Sequence, residues 1–203
     1  MSFMDQTTID TYNLLAREYD DDTAGFWEKL PRTFLDKFIA LSGENILDVG
    51  SGPGRDGLLL QEANKKVICL DASEEMVKIS SERGLDSVVG DFMKLPFPDG
   101  FFDGVWAYTS LLHVPKGDVD SALLESVRVL KSGGTLGLGF IEGKEELYRE
   151  SSDMNALRWF SFYTKEEVES LVKKQGCELA YFESFQAGKS KPKNYLNFIF
   201  QKG

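Results

Sequence analysis

Apolar residues recur at spacings of three and four in "TTIDTYNLLAREYDD", so that Ile9, Tyr12, Leu15, Ala16 and Tyr19 share one helical face. "FWEKLPRTFLDKFIALSG" follows as a second helix, with Pro31 marking a break or a new first turn and Gly43 a stop. From residue 44 onward the period changes. "NILDVG", "KKVICLDAS", "DSVVGDF", "PDGFFDGVWAY" and "TLGLGFIEG" are apolar runs of strand length. Helical stretches separate most of them: "GRDGLLLQEAN", then "SEEMVKISSERG" with Ser73 as N-cap, then "DVDSALLESVRVLKSGG", which ends at a glycine pair.

That alternation predicts an α/β fold: a mostly parallel sheet with helices on both faces, three layers in all. The C-terminal part departs from it. "YTKEEVESLVKKQG" is a helix whose Thr164 and Glu167 form a capping box. "CELAYFESF" and "NYLNFIFQK" then follow with only a polar loop of roughly ten residues between them, which predicts an antiparallel pair. Seven strands result, the last of them antiparallel.

Composition narrows the function. The formal charge of -10 argues against a nucleic-acid partner, because phosphate backbones attract basic surfaces. The one dense basic cluster, Lys189, Lys191 and Lys193, reads as a solvated loop. Cys69 and Cys177 sit in apolar runs and read as buried thiols, too few for a disulfide framework or zinc site. No metal is implied, since neither paired histidines nor clustered acids stand at ligand spacing after the fourth strand. No run of about 18 apolar residues is present, and the first residues lack a signal-peptide pattern, so the expectation is a cytoplasmic protein without membrane partners.

The chemistry concentrates in "ILDVGSGPGRDG", where four of twelve residues are glycine. A glycine-rich turn between strand and helix lets a ligand meet bare backbone and a helix N-terminus. "GPGRDG" fits the dinucleotide pattern G-x-G-x-x-G, with Asp71 about 20 residues on. Two details turn the reading away from a nicotinamide cofactor. Gly50 opens a second register, G-x-G-x-G, at the strand end. Asp48, just before it, would repel a pyrophosphate and attract a cation.

"ILDVGSGPGRD", "VICLDAS" and "VVGDFMKLPF", in that order, resemble the class I S-adenosylmethionine (SAM)-dependent methyltransferases of the small-molecule kind. The likeness runs on through "FFDGVWAYTSLLHVPK", "ESVRVLKSGGTLGLGF" and "RWFSFYTKEEVESLVKKQGCEL" to "YLNFIFQ", and includes the "TYNLLAREYD" helix. The resemblance implies one methyltransferase domain over residues 1–203, with 1–43 as a helical cap or lid and 44–203 as a Rossmann-like core. It implies SAM as cofactor and S-adenosylhomocysteine (SAH) as product. Gly50, Gly52 and Gly54 would admit the methionine moiety and ribose to the backbone. Asp48 would complement the ammonium, and Asp71 both ribose hydroxyls. Ala72, Met76, Asp91 and Phe92 would surround the adenine. Arg55 would contact the ligand's carboxylate or brace the loop; both readings stay open. Tyr12 and Tyr19 would close over the sulfonium, or pack on a neighbouring helix.

The acceptor is less constrained. The loop after the fourth strand, "AYTSLLHV", lacks the Pro-Pro-aromatic pattern of nucleobase amino-methyltransferases, and neither cysteine suits cytosine-C5 chemistry. A small-molecule acceptor remains, held by Tyr108, His113, Arg158, Trp159 and Tyr163. His113, the only histidine, is the candidate general base. Rival readings are a SAM-binding sensor or partner subunit without transfer, and a NAD-dependent oxidoreductase. Monomer and homodimer are both open.

Overall fold

A computed structural model of the protein describes residues 4–150, 156–188 and 192–203. Four helices come first: α1 (Gln6–Leu14), α2 (Ala16–Asp22), α3 (Phe26–Lys29) and α4 (Thr33–Leu41). Then strands and helices alternate: β1 (Asn45–Val49), α5 (Arg55–Glu62), β2 (Lys66–Asp71), α6 (Glu74–Glu82), β3 (Asp86–Val89), β4 (Phe102–Tyr108), α7 (Val119–Arg128) and β5 (Leu130–Ile141). The chain closes with β6 (Glu146–Glu150), β7 (Leu157–Ser161), α8 (Lys165–Lys174), β8 (Cys177–Ala187) and β9 (Lys193–Lys202).

Seven strands form one sheet in the order β3-β2-β1-β4-β5-β9-β8. β1 to β5 are parallel, and β9 runs antiparallel to both of its neighbours. The seven-stranded α/β sandwich is therefore as the pattern predicts. Its apolar residues divide between two faces. Leu47, Val105, Leu136, Phe198 and Phe200 belong to one cluster with Val119 and Leu123 of α7 and Val168 and Val172 of α8. Ile46, Trp106 and Ile199 belong to the other, with Phe34 and Phe38 of α4 and Leu60 of α5. No helix among the described residues is long and apolar enough to cross a membrane.

The structure departs from the pattern in several places. The first helix breaks at Leu15 (φ -116°, ψ 25°) into α1 and α2. Phe34, Leu35 and Phe38 of α4 are fully buried and pack with Ile46 and Trp106 of the sheet. Helix α7 stops at Arg128, ahead of the glycine pair, because the Val129 carbonyl accepts from Phe101 and Phe102 and pulls Leu130 into the sheet. The aromatic run "RWFSFY" is largely strand, paired antiparallel with β6 in a small second sheet. β8 runs on to Ala187 and β9 starts at Lys193, so the strands approach more closely in sequence than expected and Lys193 is strand and not loop; Lys189 and Lys191 lie outside the described residues.

The alternation "GLG" in β5 has a packing reason. Trp106 and Tyr108 of β4 pair with Gly137 and Gly139, and their rings lie across those glycines. A β-carbon at Gly137 would stand 2.7 Å from the Trp106 ring and 2.9 Å from Phe38. Gly137→Ala is expected to cost about 1–3 kcal/mol by overpacking, lowering the melting temperature by about 2–4 °C per kcal/mol. Gly117→Ala, where a β-carbon meets nothing within 4 Å, is the control and should stay within about 0.5 kcal/mol of wild type. Thermal or urea melts of both variants check this.

Candidate active site

At the carboxyl ends of β1, β2 and β4 a cavity of about 950 Å³, its open mouth included, is roofed by α1 to α3. The glycine loop forms its floor. Gly50 adopts φ +68°, and a β-carbon there would lie 2.4 Å from Ser110 and 2.8 Å from Phe92, so only glycine lets the three segments meet. The Gly50 and Ser51 N–H groups both donate to the Leu70 carbonyl. Gly52 is different. A β-carbon there would meet only the edge of Tyr19, at 4.0 Å, so its backbone faces open space.

Asp71 ties the loop to the second strand. Its Oδ2 accepts from Gly52 N–H at 2.8 Å and its Oδ1 from Ser73 N–H at 2.9 Å. Burial holds its carboxyl above the usual range in spite of these bonds. Ser73 caps α6 as predicted, accepting from Met76 N–H, and also donates to Asn13 of α1.

Asp48 is 2% exposed and its Oδ2 has no partner. Burial, with Asp56 and Asp71 nearby, pushes its carboxyl well up. Asp56 has a role beyond its place in the first turn of α5. Its two oxygens accept from the indole N–H groups of Trp27 and Trp106. Those partners lie 29 and 50 residues away in sequence, so no local pattern announces them. Burial raises its carboxyl as well.

Opposite these acids stands His113, 5% exposed, in a short 3-10 turn after β4. Its Nδ1 lies 2.6 Å from the Trp159 carbonyl, which can only accept, so Nδ1 carries the proton. Its Nε2 then accepts from the Tyr12 hydroxyl at 2.9 Å. That hydroxyl in turn accepts from Arg158. Burial, aided by the Arg158 charge, pushes His113 down to about 3.

Of the residues singled out from sequence, Tyr12, Tyr19, Asp48, Gly50, Gly52, Arg55, Asp71, Ala72, Met76, Phe92, Tyr108 and His113 line the cavity. The Tyr12 and Tyr19 rings meet edge to face at 5.3 Å and also pack on Met76 and Ile79 of α6. Arg55 turns its guanidinium away from the floor, to Asp20 and Thr23 of the roof. Five do not reach the cavity wall. Gly54 caps α5 at φ +82° and packs against Leu85 and Ser80. The Asp91 carboxylate accepts from Met93 and Met4 N–H groups. Arg158 stands behind Tyr12, and Trp159 contributes its carbonyl to His113. Tyr163 is buried against Phe140, with Lys116 over its ring, away from the cavity. Sequence reasoning missed Thr109, which lines the cavity with φ +51°, a left-handed conformation rare for a β-branched residue.

Residues 47–138 match the family model described as a methyltransferase domain. Over that stretch, from β1 into β5, the chain is similar to methyltransferase domains. Among curated proteins, 27-O-demethylrifamycin SV methyltransferase of Amycolatopsis mediterranei is 33% identical over 138 residues, covering 62% of this chain and 50% of that protein. The demethylmenaquinone methyltransferase of Symbiobacterium thermophilum is 36% identical over 149 residues, covering 64% and 57%. The chain thus spans about half the length of these relatives. A SAM-dependent methyltransferase of Thermotoga maritima shares the fold, with a TM-score of 0.72 at 23% identity over 96% of this chain and 99% of that one.

The lowered His113 makes a test of the network. Its folded value lies below the unfolded value of about 6.5, so the unfolded chain binds the proton first. Its contribution is intact above about pH 6.5 and is lost as pH falls from there toward 3, by up to about 1.4 kcal/mol per pH unit. Urea unfolding at pH 7.5 and pH 5 should show this loss in the wild type and a smaller one in His113→Gln. Equal losses in both proteins would assign the proton elsewhere.

Proposed function

We propose that this domain binds SAM in the cavity and transfers its methyl group to a small-molecule acceptor. The unpartnered, buried Asp48 oxygen under an open glycine backbone carries the reading. A desolvated carboxylate without a partner is costly and suits a cationic ligand. SAM carries two cationic groups, an ammonium and a sulfonium. Three carboxylates on the wall, Asp48, Asp56 and Asp71, oppose a pyrophosphate and so disfavour a nicotinamide dinucleotide. The residues present fit SAM: Asp48 for the ammonium, Gly50 and Gly52 for close backbone approach, the free lone pairs of Asp71 for the ribose hydroxyls, and Ala72, Met76 and Phe92 for the base.

Bound there, SAM supplies a methyl group already activated as a sulfonium. The protein's task is then to hold the acceptor in line and keep water out. Tyr12, Tyr19 and the α3 aromatics Phe26 and Trp27 roof the cavity for that purpose. The names of the curated relatives, a rifamycin and a menaquinone methyltransferase, support an acceptor that is a small organic molecule. The formal charge of -10 fits such a partner better than a nucleic acid, and two buried free thiols fit the cytoplasm.

In a thermal-shift panel SAM and SAH should stabilise the protein, by about 2.7 kcal/mol at 100 times the dissociation constant, whereas NAD(H) and NADP(H) should not. Asp71→Ala removes hydrogen bonds to a charged acceptor worth about 1.5–3 kcal/mol each, so calorimetry should show SAM affinity at least tenfold weaker. Stabilisation by a nicotinamide cofactor alone would reject the assignment.

Helix α1 serves as the lid in this reading. Thr8 and Thr11 bond it to β7, and Asn13 bonds it to the start of α6. Hydrogen exchange over residues 5–20 should slow on adding SAM by more than the protein-wide stabilisation explains. Exchange there that ignores SAM would leave α1 as packing.

A further inference from the structure

The cavity is electrically lopsided. Three carboxylates line part of its wall, and a buried guanidinium stands behind another part. Arg158 is 6% exposed, with the Tyr12 and Phe160 rings 5.0 and 5.2 Å from its centre. Its Nε has no partner. Among the described residues no carboxylate lies within ion-pair distance of it. A buried cation without an anion is costly, and the deficit is relieved by a ligand of opposite charge. The Arg158 charge is delivered to the cavity through one atom, the Tyr12 hydroxyl oxygen.

The same wall offers no base for a neutral acceptor. His113 is held neutral and too weakly basic to take a proton near neutral pH. Burial raises Tyr12 and Tyr19, so both stay protonated. The other charges felt here are Asp5 at the start of α1, Asp71 across the cavity, and Arg55 and Asp56 near Tyr19. An acceptor oxygen held on this side, away from the three carboxylates, must therefore reach Tyr12 with its proton already lost to solvent.

Resting on the methyltransferase reading above, we propose that Arg158, acting through the Tyr12 hydroxyl, selects methyl acceptors that present an anionic oxygen, a phenolate or an enolate, to the cavity. The Tyr12 O–H turns from His113 Nε2 to the anionic oxygen, and donation from Arg158 strengthens it as a donor. Arg158 is a positioning residue; Tyr12 touches the acceptor. The transfer balances. The acceptor's proton has already left to water, an oxygen lone pair forms the new C–O bond, and the C–S bonding pair returns to sulfur. One anion and one sulfonium become a methyl ether and a neutral thioether, a loss of opposite charges that a desolvated cavity favours.

Two phenols whose protonation states differ in absorbance, 4-nitrophenol and 7-hydroxycoumarin, test this on the protein–SAH complex. SAH binding is first established by calorimetry; its absence would overturn the methyltransferase reading itself. Each bound phenol is then titrated by its spectrum. The midpoint of proton loss should fall about one pH unit below that of the free phenol, a tenfold preference for the anion. Their methyl ethers should bind about tenfold more weakly than the phenolates. In Tyr12→Phe, which keeps the ring, and in Arg158→Met, the midpoint should return to the free value. An unshifted or raised midpoint in the wild type overturns the proposal whether or not the variants fold. So does the same fall in both variants, and so does failure of either phenol to bind while SAH does.

Discussion

Everything at the cavity depends on the crowding of three carboxylates on its wall. Asp48, Asp56 and Asp71 each have a carboxyl raised by burial. Such groups favour the folded state when protonated and lose that contribution as pH rises through their folded values. The protein tolerates this because two of the three are bonded: Asp71 by backbone N–H groups and Asp56 by two indoles. Asp48 is the exception: a backbone hydrogen bond from Gly57 reaches it, but its Oδ2 is buried without a partner.

The opposite side of the cavity is organised by neutrality. His113 is uncharged by burial and fixed in one tautomer by a backbone carbonyl. It therefore holds the Tyr12 hydroxyl without competing with Arg158 for an anion. The two poles are carried by different parts of the fold. The acids sit on β1, β2 and α5, and the guanidinium sits on β7, in the small sheet added after β5. The parallel sheet shapes one half of the electrostatics and the appended hairpin shapes the other.

The sheet was legible in the sequence because its cues are local. Strand periodicity, the Ser73 cap and the Thr164–Glu167 capping box each need fewer than ten residues to be read. The floor of the site was legible for the same reason: Asp48, Gly50, Gly52 and Asp71 belong to two short motifs. What sequence could not show is what long-range contacts decide. Helix α7 stops early because Val129 is claimed by a neighbouring strand. The indole partners of Asp56 come from α3 and β4. Tyr163, an aromatic in a promising run, turns into the core, whereas Arg158 in the same run is recruited behind Tyr12. Arg158 takes its side from the pairing of β7 with β6, and Tyr163 from backbone bonds to Ile141 and Gly143 past the end of that pairing, none of which a local pattern fixed.

One carboxylate of the roof is shared by two other elements. Asp20 of α2 receives Arg55 from the loop and Arg83 from the end of α6, at 2.7 and 2.6 Å. Burial pushes its carboxyl up, but the two guanidinium bonds outweigh this and hold it below the usual range. Its contribution is present above the unfolded value near 3.8 and is lost as pH falls through the folded one. Mechanically this is a single rivet through three plates. An ordinary surface ion pair can fail without consequence. Here the loss of one carboxylate would remove, at a stroke, the two ion pairs that join α2 to the start of α5 and to the end of α6.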